Sequence, residues 1–221
     1  MTGSPRVAEK MRTDLAERAT EYNQQLKGSR AEQYLLNERG FTHESISYFQ
    51  LGFVETPMKS DRMHQGRIVI PYHTRTGVVA LRSTSVPDLT GSRPEPKYLP
   101  WMTGDISRPF NVTSLDTAEE VLICEGELDC ITAWMLGFYA VGIAGVAAWK
   151  DVYQPLFRYR KVTIVADMDD GSGQGMDFAK KVAGKLGGCS IVPMERGHDL
   201  NSFFVERGGE ATLKHIKGDS E

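Results

Sequence analysis

The apolar runs of this 221-residue chain predict an α/β protein: a parallel sheet with helices on both faces, preceded by a smaller α+β unit. Three observations carry that prediction. From residue 118 onward strands and helices alternate, and the strands are apolar along their whole length, as in a sheet buried on both sides. Upstream, two short capped helices precede a β-rich hairpin. Finally, two of the later strands, "VLICEGELDC" and "VTIVADMDDG", end abruptly in acidic residues. Ligands of open parallel sheets bind beyond the carboxyl ends of the strands, so these acids stand where chemistry is expected.

The elements follow in chain order. Residues 1–28 are charged and sparse in apolar positions, which predicts a helix or arm lying in solvent or on a partner. In "SRAEQYLLNERG", Ser29 and Glu32 form the spacing of a capping box and Gly40 supplies a stop. In "THESISYFQLG", Thr42 is placed to cap and Gly52 to terminate a second short helix. "GRIVIPYHTRTGVVALRSTSV" reads as two strands joined at Thr74–Gly77. Residues 87–113, rich in Pro, Gly, Ser and Thr, predict a long irregular connection. Beyond it, "EVLICEG" is a strand and 127–136 a helix; "YAVGIAG" is a strand, followed by an irregular or partly helical stretch through Arg158. "KVTIVAD" is a strand, 175–186 a helix, "CSIVPM" a strand, and two short helices close the chain. The expected organisation is an arm at 1–28, an α+β unit at 29–113 and the α/β unit at 114–221.

Composition excludes several classes. Hydrophobic content of 40% and charged content of 25% suit a globular chain with a real core. No apolar run approaches the roughly 20 residues of a membrane helix, and the polar N-terminus has no signal-peptide stretch, so a cytoplasmic location is expected. Cys124, Cys130 and Cys189 make no CxxC pair and the five histidines are scattered, which argues against a zinc site or a disulfide framework. A net charge of −3 is unlike a strong non-specific DNA binder, yet compatible with a nucleic-acid enzyme that uses metal ions and a local basic patch.

The acidic residues form a constellation. Glu125 ends one strand. Asp167 ends another, with Asp169 and Asp170 just after it, and Asp199 follows the last strand. Asp129 lies four residues after Glu125, in the first turn of the next helix. A lone D-x-D commonly caps a helix, and a lone Glu before Gly is an ordinary loop residue; their conjunction in one α/β unit is more specific. Carboxylates so close repel unless a cation shares them. Hard divalent ions with oxygen ligands, Mg²⁺ or Mn²⁺, fit that need and suit chemistry on phosphates. Gly171, Gly173 and Gly175 after the acids read as turn residues first.

"EGELD" followed by "ADMDDGSGQGMDFA" resembles the TOPRIM domain of bacterial primases, topoisomerases and several nucleases, over roughly residues 118–207. "GHDLNSFF" resembles a later acidic motif of phage primase-helicases. The upstream "YLLNERGFTHESISYFQLGF", "GRIVIPYHTRTGVVALRS" and "PKYL" resemble the polymerase core of bacterial primases, which topoisomerases and TOPRIM nucleases lack. The chain departs from that family in having no cysteine pattern for a zinc-binding module and a short stretch between Phe53 and Gly66.

This resemblance implies a TOPRIM domain, Rossmann-like with helices on both faces, after an α+β primase-core subdomain. It implies synthesis of RNA primers on single-stranded DNA from ribonucleoside triphosphates. Glu125 would then be the acid or base nearest the chemistry. Asp167 and Asp169 would bind the metal ions, with Asp129, Asp170 and Asp199 in support. Arg67, Arg82 and Lys97 match basic positions that contact nucleotide or DNA. A separate zinc-binding module and a replicative helicase are the implied protein partners, and no membrane is involved. A metal-dependent nuclease and a non-catalytic replication module that binds nucleic acid or a helicase are the alternatives.

Overall fold

A computed structural model describes residues 9–87, 96–101, 108–144, 148–168 and 173–218. The chain divides into two compact units, 1–106 and 107–221.

The first unit is built on α1 (Glu9–Leu26), whose buried residues Leu15, Ala19, Tyr22 and Leu26 recur along one stripe. Leu15, Ala19 and Tyr22 of that stripe pack on Val54, Val69, Val78 and Leu81. Of the helix or arm expected for 1–28, residues 9–26 form the helix, but its apolar stripe lies in this unit's own core and not in solvent or on a partner. Its stripe is about one side chain wide, so the segment as a whole reads as polar although the residues that matter are apolar. Two short helices follow. Ser29 Oγ accepts from Glu32 N at 3.2 Å to cap α2 (Arg30–Asn37), while Glu32 reaches back to Gly28 N. Thr42 and Ser45 form the reciprocal capping box of α3 (His43–Tyr48).

The sheet of this unit is antiparallel, in the order β1 (Gly52–Phe53), β2 (Arg67–Thr74), β3 (Gly77–Ser85), β4 (Tyr98–Pro100). The β2–β3 turn closes with Thr74 opposite Gly77, as expected. β4 corrects the irregular stretch predicted for 87–113, where a three-residue edge strand is too short to show an alternating pattern. Gly52 is needed for a reason other than ending α3: a Cβ there would lie 2.8 Å from the Tyr22 carbonyl carbon, so its lack of a side chain lets β1 lie against α1.

A buried polar cluster joins α1 to the segment before β2. Tyr22 Oη donates to Asp61 Oδ2 at 2.7 Å, Arg18 Nε donates to the same oxygen at 3.0 Å, and Ser60 Oγ donates to Oδ1 at 2.8 Å. Beside it the His64 ring stacks on Trp101, centroids 3.7 Å apart and planes 6° from parallel, with His64 Nδ1 2.8 Å from Ser83 Oγ.

The second unit carries a fully parallel sheet in the order β6 (Ala140–Gly142), β5 (Glu120–Cys124), β7 (Lys161–Ala166), β8 (Ser190–Pro193). Val121, Ile123, Val162, Ile164 and Ala166 turn one way, onto Phe178, Ala179 and Val182 of α5 (Gln174–Leu186) and onto Tyr153 and Phe157 of a 3₁₀ segment, Asp151–Phe157. Leu122, Cys124 and Val165 alternate to the other face, and α4 (Glu127–Met135) packs on β5, β6 and α6 (Leu200–Lys217). The two closing helices expected from the sequence are the halves of α6, divided where Gly208 adopts φ 81° and ψ 168°.

The unit begins earlier than the expected residue 114. Phe110 exchanges backbone hydrogen bonds with Gly142 on the border of β6, at 2.8 and 3.2 Å, and Asn111 Nδ2 donates to Ala140 O at 2.9 Å. Among the described residues no helix is long and apolar enough to cross a membrane.

Candidate active site

β5 and β7 are hydrogen-bonded neighbours running the same way, with Ile123 opposite Ile164. Their carboxyl ends therefore release Glu125 and Asp167 side by side. Glu125 Oε1 accepts from Asp167 N at 3.4 Å, so the glutamate of one strand tip leans on the backbone of the other. The first turn of α5 closes over both. A Cβ on Gly175 would stand 2.5 Å from Glu125 Oε1 and would overlap the Asp167 carbonyl oxygen. Sequence patterning marks Gly175 as a turn residue, but it lies inside α5. What requires glycine there is the approach of two acidic segments.

The electrostatics agree with this convergence. The fully buried Cys124 thiol ends β5, and burial pushes its pKa well above the usual value, followed by Cys130 and by the negative charges of Asp129, Asp167 and Glu125. One side chain thus feels three carboxylates. Cys130 is likewise pushed well up, first by burial and also by Asp129 and Glu127. Burial thus favours the neutral form of both thiols.

Asp129 and Asp199 are held by the start of α6. Asp129 is buried, and its Oδ1 accepts from Asn201 N at 3.0 Å. Asp199 is the N-cap of α6: its Oδ1 accepts from Ser202 N, and Ser202 Oγ in turn accepts from Asp199 N. Both carboxylates, predicted to support a metal cluster, meet the positive end of a helix. Asn201 adds a second tie, its Nδ2 donating to Thr132 Oγ1 at 2.9 Å, so α4 and α6 are fastened through buried polar atoms. Neither Asn201 nor Thr132 stood out in the sequence; the signal was the three-residue step from Asp129 to Thr132, which puts both on one helix face. Asp169 and Asp170 lie outside the described residues, and among the described residues no group of three metal-ligating side chains forms.

The basic residues belong to the first unit. Arg67 is buried, and its Nη1 donates to Pro96 O at 2.8 Å and Lys97 O at 3.4 Å, so it holds the backbone entering β4 instead of standing open to phosphate. Arg82 and Lys97 gather on one aromatic ring: the Arg82 guanidinium lies 4.9 Å and Lys97 Nζ 5.5 Å from the centroid of Tyr98. Cation–π contact of this kind fixes long cationic side chains while leaving their charge in place.

Among known proteins, the Gene 57 protein of Mycobacterium phage D29 is 37% identical to this chain over 161 residues, covering 70% of this chain and all of that protein. The chain belongs to the Gene 57 protein family. In this member, residues 122–204 match the family model described as Toprim-like, which covers β5 through α6 as far as Phe204. The fold is that of the primase catalytic core. The RNA polymerase domain of Mycobacterium tuberculosis primase DnaG aligns with a TM-score of 0.76 at 19% identity, over 96% of this chain and 84% of that one. A DnaG primase catalytic domain bound to single-stranded DNA aligns with a TM-score of 0.71 at 22% identity, over 92% and 79%.

Proposed function

We propose that this chain is a primase catalytic core, joining ribonucleoside triphosphates into RNA primers on single-stranded DNA. The observation that carries the reading is the meeting of Glu125 and Asp167 at adjacent strand tips under Gly175, in a fold shared with DnaG catalytic cores.

In this reading Glu125 accepts the proton of the attacking ribose hydroxyl. That oxygen bonds to the α-phosphorus of the incoming triphosphate, and pyrophosphate leaves. The donor set fits a hard divalent cation, because the Glu125 carboxylate rests on the Asp167 amide at the adjacent strand tip and both residues offer oxygen donors. Asp167 and Asp169, with Glu125, would hold it. A bound Mg²⁺ or Mn²⁺ supplies positive charge to the triphosphate and the leaving oxygen. Asp129 and Asn201 keep the start of α6 fastened to α4, and Asp199 caps α6. Arg82 and Lys97, fixed on Tyr98, are assigned to phosphate contact, and Arg67 to the backbone beneath them. Single-stranded DNA and ribonucleoside triphosphates are the proposed partners, with a zinc-binding module and a helicase as further ones.

Primer synthesis on single-stranded DNA with Mg²⁺ or Mn²⁺ tests the assignment. Glu125→Gln keeps size and hydrogen bonding but removes the base, so synthesis falls by about 10²–10⁴-fold while the unfolding midpoint stays close to wild type. Synthesis unchanged in Glu125→Gln overturns the role. Cutting of labelled DNA or RNA in Mn²⁺ without nucleotides would replace polymerisation by hydrolysis at the same carboxylates.

A further inference from the structure

A groove of about 450 Å³ opens in the first unit, lined by Lys10, Met11, Asp14, Leu15, Arg18, Ser60, Asp61 and Trp101. Its size is that of a small-molecule site, and all of these residues lie within the unit that ends at residue 106. Three features make it a prepared surface. Trp101 cannot swing freely: His64 is stacked on it at 3.7 Å, and Tyr22 packs at 5.6 Å with a 46° tilt. His64 is itself held by Ser83 Oγ, and burial drives its pKa down to about 4, so the stacked pair is uncharged at neutral pH. Arg18 is pinned by Asp61, Ser60 Oγ and Asp14 O.

The lining therefore combines an oriented indole, the apolar side chains of Met11 and Leu15, and a rim that offers donors and acceptors. Lys10 and Arg18 donate; Asp14 and Ser60 accept. An aliphatic ligand would waste that rim, and a bare anion would meet Asp14 and Asp61 as well as the two cations. A planar heterocycle with apolar faces and a hydrogen-bonding edge matches both parts.

We propose that this groove binds a nucleobase, packed against Trp101 and read at its edge by the Arg18–Asp14 rim. The base can come from a free nucleotide or from a single strand, and the site acts apart from Glu125 and Asp167. It rests on the primase reading only for its biological use, since binding itself needs neither metal nor turnover.

The test uses the full chain without divalent ions. Anisotropy of labelled AMP, and separately of a labelled ten-nucleotide single strand, is measured for wild type, Trp101→Ala, Trp101→Tyr, Met11→Asp and Glu125→Gln. The expected result is binding of at least one probe, weakened about tenfold or more by Trp101→Ala, largely restored by Trp101→Tyr and unaffected by Glu125→Gln. Met11→Asp, which places a charge on the groove wall, should weaken the same probe if Trp101→Ala fails to fold. Response to AMP identifies a free-nucleotide site, and response to the strand alone identifies a template or primer site. Binding by neither probe, or binding that both Trp101→Ala and Met11→Asp leave intact, overturns the proposal. Base binding by a wild-type chain that makes no primers would sink the primase reading and leave the groove standing.

Discussion

Gly175 and Asp199 show how one side chain, or its absence, decides what neighbouring acids can do. A methyl group at Gly175 meets Glu125 Oε1 and the Asp167 carbonyl, and neither strand tip can retreat without disturbing the sheet beneath. Gly175→Ala is expected to cost about 1–3 kcal/mol, as overpacking does. It should lower primer synthesis further than stability alone explains, because about 1 Å of misplacement at a reacting centre costs on the order of 10²-fold. Urea unfolding and primer synthesis, both below the transition, separate the two effects. Asp199 offers the complementary test. As an N-cap it is replaceable by Asn, which caps equally well, whereas Ala removes the bond to Ser202 N. Asp199→Asn should keep both stability and synthesis near wild type, while Asp199→Ala loses about 1 kcal/mol. Loss of synthesis in a stable Asp199→Asn would restore this carboxylate to the metal cluster.

Helices and strands differed in how openly they declared themselves. The caps at Ser29 and Thr42, the turn at Thr74–Gly77 and the parallel strands from Glu120 onward were legible because each rests on local spacing or on a run of apolar residues. α1 and β4 were not. α1 buries four residues within a charged segment, and β4 is an edge strand of three residues, so neither raises a periodic signal above its surroundings. Gly52 was visible as a glycine, but its role depends on a helix some thirty residues earlier, which no local pattern reports. Gly52→Ala sets a methyl against the Tyr22 backbone, where no rotamer change can help. It should destabilise the chain by about 1–3 kcal/mol, read as a lowered urea midpoint with unchanged helix content by far-UV circular dichroism. The candidate site was legible as a set of acids and much less as a geometry. Glu125 reaches the Asp167 backbone at the adjacent strand tip, while Asp129 and Asp199 engage a helix start whose position depends on the fold.

The stability of the whole chain carries the mark of its buried ionisable groups. Burial lowers the His64 pKa to about 4, with Asp61 raising it and Arg67 lowering it further; in the unfolded chain it is about 6.5. Between those values the unfolded chain binds a proton that the folded chain refuses, so stability from His64 is complete above about pH 6.5 and is lost as pH falls toward 4. The loss amounts to about 3 kcal/mol in all. At lower pH Asp61 adds to it: burial raises this carboxyl, but hydrogen bonds from Tyr22 and Ser60 and the charge of Arg18 outweigh burial and hold its pKa below the usual value. Its contribution is present above the ordinary carboxylate range and disappears as pH drops below it. Urea midpoints measured between pH 7 and 4 should therefore decline in wild type and stay flatter in His64→Gln; equal slopes would show that the imidazole is not the source.

The pairing of Phe110 with Gly142 bears on how such a sheet stays single. Two reciprocal backbone bonds occupy the outer side of the three-residue β6. At the opposite border β8 finishes in Pro193, which has no amide hydrogen to offer. A parallel sheet with both margins blunted in this way gives a stray strand little to zip onto. Crowding during rapid synthesis should accordingly favour isolated copies over ribbons of misjoined ones.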